Sequence, residues 1–210
     1  PEWYKEQTGE DIEVIYQTFD INEIMLTKIE RGHEDFDVVC PSEYIIERMM
    51  KKDMLQPINR DFGNTPDYIP NLAPYIQEEL NKMSFDERKV TDYAVAYMWG
   101  TAGVLYNKGL VTEEEALTCG SLWDPKFNNK ILMKDSYRDC YGLSIIYANT
   151  ERLQKGEVTV EQLMNDNSKD AIIMAEEYLK MMKPNIAGWE ADFGKEMMTK
   201  GKAWLNFTWS

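Results

Sequence analysis

The chain has 210 residues, 43% of them hydrophobic and 12% aromatic, a composition that supports a packed core and excludes a disordered segment. Its length allows one large domain or two small ones, and no run of 18 apolar residues is present to span a membrane. The formal net charge of −14 fits simple solubility or a cationic partner drawn in by a negative field; both argue against nucleic acid, which requires a basic stripe.

In chain order, "WYKEQTG" (3–9) predicts a helix end closed by Gly9. "IEVIYQTF" (12–19) is β-branched and aromatic and predicts a strand. "INEIMLTKIERG" (21–32) places Ile21, Ile24, Met25 and Ile29 on one helical face, with Gly32 as the stop. "FDVVCP" (36–41) reads as a buried strand, and "SEYIIERMMKKDM" (42–54) as a helix with Ser42 at the N-cap. Residues 12–54 thus read strand, helix, strand, helix, a right-handed crossover unit. Residues 55–92 read as loop-rich, around Pro57, Pro66, Pro70 and Pro74.

"YAVAYMW" (93–99) and "TAGVLYN" (101–107) predict strands on either side of Gly100, where a boundary falls. "EEEALT" (113–118) predicts a short helix, "KILMKD" (130–135) a strand and "RDCYGLSIIYAN" (138–149) a helix. Two more helices follow, "TVEQLMND" (159–166) and "KDAIIMAEEYLKMM" (169–182), the second with Ile172, Ala175, Tyr178 and Met182 inward. "PNIAGW" (184–189) and "AWLNFTW" (203–209) close the series as strands. Alternation of this kind predicts an α/β fold.

Cys40, Cys119 and Cys140 lack metal-like spacing; Cys40, in an apolar run, reads as a buried small hydrophobe. The single histidine, His33, reads as a plain loop residue, so neither a zinc site nor a His-based triad has material to work with. No Walker A, GxSxG or HExxH pattern occurs, and catalysis has no positive support.

Three stretches share one design, a strand end followed by a polar or aromatic turn: "CPSEY" (40–44), "KDSYRD" (134–139) and "FTWS" (207–210). In open α/β sheets ligands bind beyond the carboxyl ends of the strands. The groups offered there are Ser42, Tyr44, Asp135, Ser136, Asp139 and Trp209. Carboxylates bond an amine with charge assistance, and aromatic faces hold an ammonium or pack on methylenes. The set suits a flexible aliphatic amine. It does not suit a phosphate, which needs Gly-rich backbone donors or arginine. Each residue also has a plain structural alternative: Ser42 as a helix cap, Tyr44 as core, Asp135 and Asp139 as first-turn acids, Trp209 as half-buried sheet.

The ordered set "IEVIYQTFDINEIMLTKI", "FDVVCPSEYIIERMMKKDMLQPI", "YAVAYMWGTAGVLYN", "LWDPKFNNKILMKDSYRD", "KPNIAGW" and "KGKAWLNFTWS" resembles the spermidine/putrescine-binding proteins, the extracytoplasmic substrate-binding subunits of polyamine ABC importers. The resemblance covers nearly all of the chain. It implies a two-lobed periplasmic-binding-protein-like fold (type II) that closes on its ligand, incomplete here at both ends. The first lobe would span 1–98 and the second 99–210.

The same resemblance implies that Ser42 and Tyr44 line the cleft from the first lobe and that the "DSYRD" stretch supplies the amine-binding acid. There Asp139 matches the family's acidic position, while Ser136 falls where relatives often carry a second acid, so that one carboxylate contact is either absent here or taken by Asp135. Trp209 matches an aromatic that flanks the polyamine chain. Ala191 stands where a hydroxyl is expected. The chain begins after the family's Trp-Ser/Thr-Glu/Asp-Tyr motif and stops inside a strand, and so reads as an internal fragment.

The resemblance further implies a polyamine ligand, ABC permease subunits as partners, no cofactor and an extracytoplasmic location, in a periplasm or as a cell-surface lipoprotein. Sheet edges left by missing strands predict a risk of dimerisation. The alternatives are a binder of another small cation or amine and, in a different class, an enzyme or an interaction domain.

Overall fold

The structure, a computed structural model, describes residues 1–32, 34–63, 67–191 and 193–210. The predicted loop histidine His33, together with Pro66, lies outside the described residues. The chain divides into two compact units, Pro1–Trp99 and Gly100–Ser210.

The regular elements of the first unit are four α-helices, α1 (Glu2–Thr8), α2 (Asn22–Glu30), α3 (Glu43–Lys51) and α4 (Pro74–Lys82), followed by a two-stranded hairpin, β1 (Ser84–Phe85) and β2 (Arg88–Lys89), among the described residues. Gly9 closes α1 at φ +77°, donating its N–H to the Lys5 carbonyl, the left-handed cap that glycine adopts without a Cβ penalty. The core is the contact of α2 with α3, where Met25 and Leu26 bury against Ile45 and Met49. Ile24, predicted inward, is 53% exposed; Leu26 takes the inward position beside Met25. On α3, Ile45, Met49 and Met50 fall at i, i+4 and i+5 and form one buried stripe.

Residues 55–92 hold more structure than a loop-rich reading allows. Pro74 sits in the first turn of α4, where its missing N–H has no intrahelical partner to lose. The hairpin turns on Asp86 and Glu87, both at positive φ (49° and 64°). Such a turn is usually announced by Asn-Gly, so "DE" hides it. Arg88 ties the hairpin to α3: one guanidinium nitrogen donates to the Met50 carbonyl (2.9 Å) and another pairs with Asp53 (2.7 Å).

Three predicted strands are corrected. Residues 12–19, 36–41 and 93–99 form no ladder among the described residues, so the crossover unit keeps its two helices without its strands. A strand is a pairing as much as a conformation, and β-branched composition cannot supply a neighbour. Tyr16, Val38 and Tyr97 consequently stand 82%, 86% and 78% exposed. Cys40, predicted buried, is exposed for the same reason.

The second unit is an α/β layer. Its elements are β3 (Ala102–Tyr106), α5 (Glu113–Ala116), β4 (Ile131–Lys134), α6 (Tyr137–Ala148), α7 (Thr150–Gln154), α8 (Val160–Asn165), α9 (Lys169–Met182), β5 (Ile186–Glu190), α10 (Gly194–Thr199) and β6 (Leu205–Trp209). The strands form one sheet in the order β3-β6-β4-β5, with β3 antiparallel to β6, and β4 parallel to both β6 and β5.

Strand alternation sends Ile131, Met133, Leu205 and Phe207 to one core with Leu122, Phe127, Leu143 and Met182. It sends Leu132 to a smaller cluster with Met198 and Ala203. All four β4 residues are buried, as expected of a strand paired on both sides and covered on both faces. Helix α9 packs on α6 through Ala171, Ala175 and Met182. Ile172, predicted inward, is exposed; the small alanine one position earlier lets the helices approach. Trp123 stacks on Tyr147 at 3.9 Å and donates its indole N–H to the Tyr178 carbonyl (2.8 Å), cross-linking both helices to the segment before β4.

Candidate functional site

In the first unit, Ser42 occupies the N-cap position of α3, but its hydroxyl does not cap the helix. It accepts instead from the Asn22 amide (3.0 Å), which also donates to the Tyr44 hydroxyl (3.2 Å). Tyr44 donates in turn to Glu23 (3.1 Å). Ser42 and Tyr44 are thereby brought together and oriented by the first turn of α2. Asn22 and Glu23 were not singled out from the sequence; the signal was present in "INEI", two polar residues at a helix start with their side chains free to bond elsewhere.

In the second unit, the end of β4, the first turn of α6, the end of β5 and the end of β6 converge. The Asp135 backbone N–H donates to the Glu190 carbonyl (3.0 Å), carrying the β4–β5 ladder one step further and leaving its carboxylate exposed. The Ser136 hydroxyl caps α6 by accepting the Asp139 N–H (3.3 Å). Asp139, partly buried, accepts the Trp209 indole N–H at Oδ2 (3.2 Å). Asp139 and Trp209 therefore form one unit of carboxylate and aromatic face, with Ser136 bonded to the same turn.

Beneath this pair sits a group that sequence reasoning missed. Lys134, the last residue of β4, is 1% exposed. Its ammonium donates to the Ala191 carbonyl, pairs with Glu190 Oε1 (3.3 Å) and lies 4.1 Å from the Trp209 ring centroid. Glu190, also buried, accepts the Gly194 N–H at Oε2 (3.0 Å). The signal in the sequence was a lysine closing an otherwise apolar strand, "ILMK", a position that burial allows only with a charge partner.

Cys140, behind the turn, donates its thiol proton to the Lys134 carbonyl (3.3 Å). Burial pushes this thiol up to about 11, and the nearby Asp139 and Asp135 charges push the same way, against a backbone bond at Ser136. It is a protonated structural group. Among the described residues no cluster of three metal-binding side chains occurs, and no helix is long and apolar enough to cross a membrane.

Comparison with known proteins gives one consistent answer. The family model of the bacterial extracellular solute-binding proteins matches residues 2–210. The spermidine/putrescine-binding periplasmic protein of Salmonella typhimurium (strain LT2) is 28% identical over 210 residues, covering all of this chain and 54% of that protein. The putrescine-binding periplasmic protein PotF of Escherichia coli (strain K12) is 33% identical over 104 residues, half of this chain and 26% of that protein. Among solved structures, the spermidine/putrescine ABC transporter substrate-binding protein PotD of Streptococcus pneumoniae aligns over the whole chain and 57% of its own, with 31% identity and a TM-score of 0.67. The TpPotD lipoprotein of Treponema pallidum, at 20% identity and a TM-score of 0.72, supports the fold. The chain spans about half the length of the curated relatives it matches.

Proposed function

The chain belongs to the bacterial extracellular solute-binding proteins, and from that premise we propose that the protein captures polyamines of the spermidine/putrescine class outside the cytoplasm and delivers them unchanged to an ABC importer. The observation that carries the reading is the pairing of Asp139 with Trp209. A polyamine is a flexible chain of methylenes ending in ammonium groups. A carboxylate next to a half-exposed indole face offers it one partner of each kind, with charge assistance at the acid. The names of the relatives point the same way.

In this reading Asp139 receives an ammonium, Trp209 packs on methylenes, and Asp135 supplies the second carboxylate that Ser136, engaged as a cap, does not. Within the first unit, Ser42 and Tyr44, oriented by Asn22 and Glu23, are the proposed ligand groups. The net charge of −14 raises the local concentration of a polycation. No covalent step is required of any residue, and transport of the bound amine falls to membrane partners, the permease subunits of the importer. Strands β3 and β5 each keep one edge unpaired among the described residues, which makes self-association through them part of the proposal; a monomer mass by light scattering would remove that part alone.

A thermal-shift panel of polyamines, amino acids, sugars and metal ions on the full-length protein tests the reading. Stabilisation by spermidine or putrescine is expected, by RT ln(1 + [L]/Kd). Stabilisation by sugars or metal ions alone overturns it.

A further inference from the structure

We propose that Lys134 is a positioning residue for Trp209: its ammonium holds one face of the indole, so that the opposite face alone is open to a ligand's methylene chain. The proposal rests on the reading of Trp209 as a ligand group.

The ammonium is placed by groups other than the indole. A buried lysine is tolerated only where its charge is paired and its protons are accepted. Here the Ala191 carbonyl accepts a proton and Glu190 pairs the charge at 3.3 Å, and Glu190 is itself pinned by the Gly194 N–H (3.0 Å). The cation is thus a fixed point, and the Trp209 ring lies on it at 4.1 Å, well within the distance at which the ring quadrupole attracts a cation. The indole edge is fixed separately, by the bond from Nε1 to Asp139 (3.2 Å). One constraint on the face and one on the edge define the plane of the ring.

This arrangement also sorts the ligand. The ring's electron-rich face is already engaged by a cation, which disfavours a second cation stacked on the other side. The open face is left for methylenes. The ligand's ammonium is directed past the ring to Asp139, whose Oδ2 takes the indole N–H and whose Oδ1 has no hydrogen bond among the described residues. An indole held this way selects the spacing between an ammonium and the apolar chain, which a freely rotating ring would not.

The test is a double-mutant cycle on the full-length protein, read by calorimetry with spermidine. Lys134→Met is expected to weaken binding about fivefold in the native background and less than twofold in a Trp209→Leu background, because Lys134 acts through the indole. Lys134→Arg, which keeps a cation, is expected to restore most of the affinity. An equal loss in both backgrounds, or no loss in either, overturns the proposal. Should Lys134→Met unfold the protein, Lys134→Met with Glu190→Gln removes both charges and carries the same cycle.

A ligand-free readout separates this inference from the reading it rests on. Acrylamide quenching of the Trp209 contribution, taken as the difference from Trp209→Phe, should rise in Lys134→Met and stay native-like in Lys134→Arg. If spermidine does not bind at all, the polyamine reading fails, and the quenching result decides the positioning role alone. Unchanged quenching in Lys134→Met overturns it.

Discussion

The indole N–H of Trp209 donates to Oδ2 of Asp139 at 3.2 Å, joining two residues seventy positions apart in the chain. The last residue of β6 meets the first turn of α6, whose end is held by the Ser136 cap. Beyond Trp209 the Ser210 N–H donates to the Thr101 carbonyl (2.8 Å), which continues the β3–β6 ladder and steadies the strand end that carries the indole.

That bond can be weighed separately from the aromatic face. Trp209→Phe keeps a ring and removes the donor, whereas Trp209→Leu removes both. A hydrogen bond to a charged group contributes about 1.5–3 kcal/mol. Part of that returns when Asp139 bonds water, so spermidine affinity should fall by about tenfold or less in Trp209→Phe and further in Trp209→Leu. Calorimetry on both variants checks the order; equal losses would mean that the aromatic face contributes nothing beyond the indole N–H, and an unchanged affinity in Trp209→Phe that the N–H contributes nothing.

The buried pair of Lys134 with Glu190 predicts an asymmetry in stability. Both side chains are almost fully enclosed, at 2% and 1% exposure. Glu190→Ala leaves a buried ammonium short of a partner and should cost about 3–5 kcal/mol. Lys134→Met with Glu190→Gln should cost clearly less. Urea unfolding of the three proteins measures it, and a double variant as unstable as Glu190→Ala would contradict the account.

Gly194 predicts a steric effect at the same place. A Cβ there would stand 2.3 Å from the Asn206 amide nitrogen and 2.6 Å from the Glu190 carboxyl carbon, and Asn206 is fully buried. Gly194→Ala should therefore lift α10 from the sheet and destabilise the protein by about 1–3 kcal/mol despite alanine's better helix propensity. A stabilised variant in urea unfolding would show that α10 sits further from the sheet.

The cysteines differ in reactivity. Cys40 is exposed and Cys140 buried, with the Cys140 thiol pushed up to about 11 from an ordinary 9.0, first by burial. Iodoacetamide at pH 8 should modify Cys40 readily and Cys140 only after unfolding. Because the folded state holds the Cys140 proton more tightly than the unfolded chain, its contribution to stability is fully present below pH 9. It is lost as pH rises from 9 toward 11. Mass mapping after alkylation checks the first part, and Cys140→Ala should flatten the second.

The second unit was largely legible in the sequence because its elements carry their own signals. The limits of α9 follow from Ser168, whose hydroxyl caps the helix, and from the i, i+4 spacing of Ala171 and Ala175. The run "KILMKD" reads as a strand, and β4 is one, buried along its whole length. In the first unit α1, α2 and α3 were legible, whereas α4 fell in a stretch read as loop-rich for its prolines, and the predicted strands failed because the segments at 12–19 and 36–41 have strand composition without a hydrogen-bonded neighbour among the described residues. The candidate site was legible as residue types at strand ends. What bonds to those residues was not: Asn22, Glu23, Lys134 and Glu190 act through partners 20 to 75 positions away, and no local pattern reports such distances.

Isothermal calorimetry of spermidine and putrescine against the full-length protein and its Asp139→Ala variant tests the central claim most directly. The account predicts a dissociation constant of about 1 μM or tighter for at least one of the two amines, lost in Asp139→Ala. No binding heat from either amine, or an unchanged affinity in the variant, would contradict it.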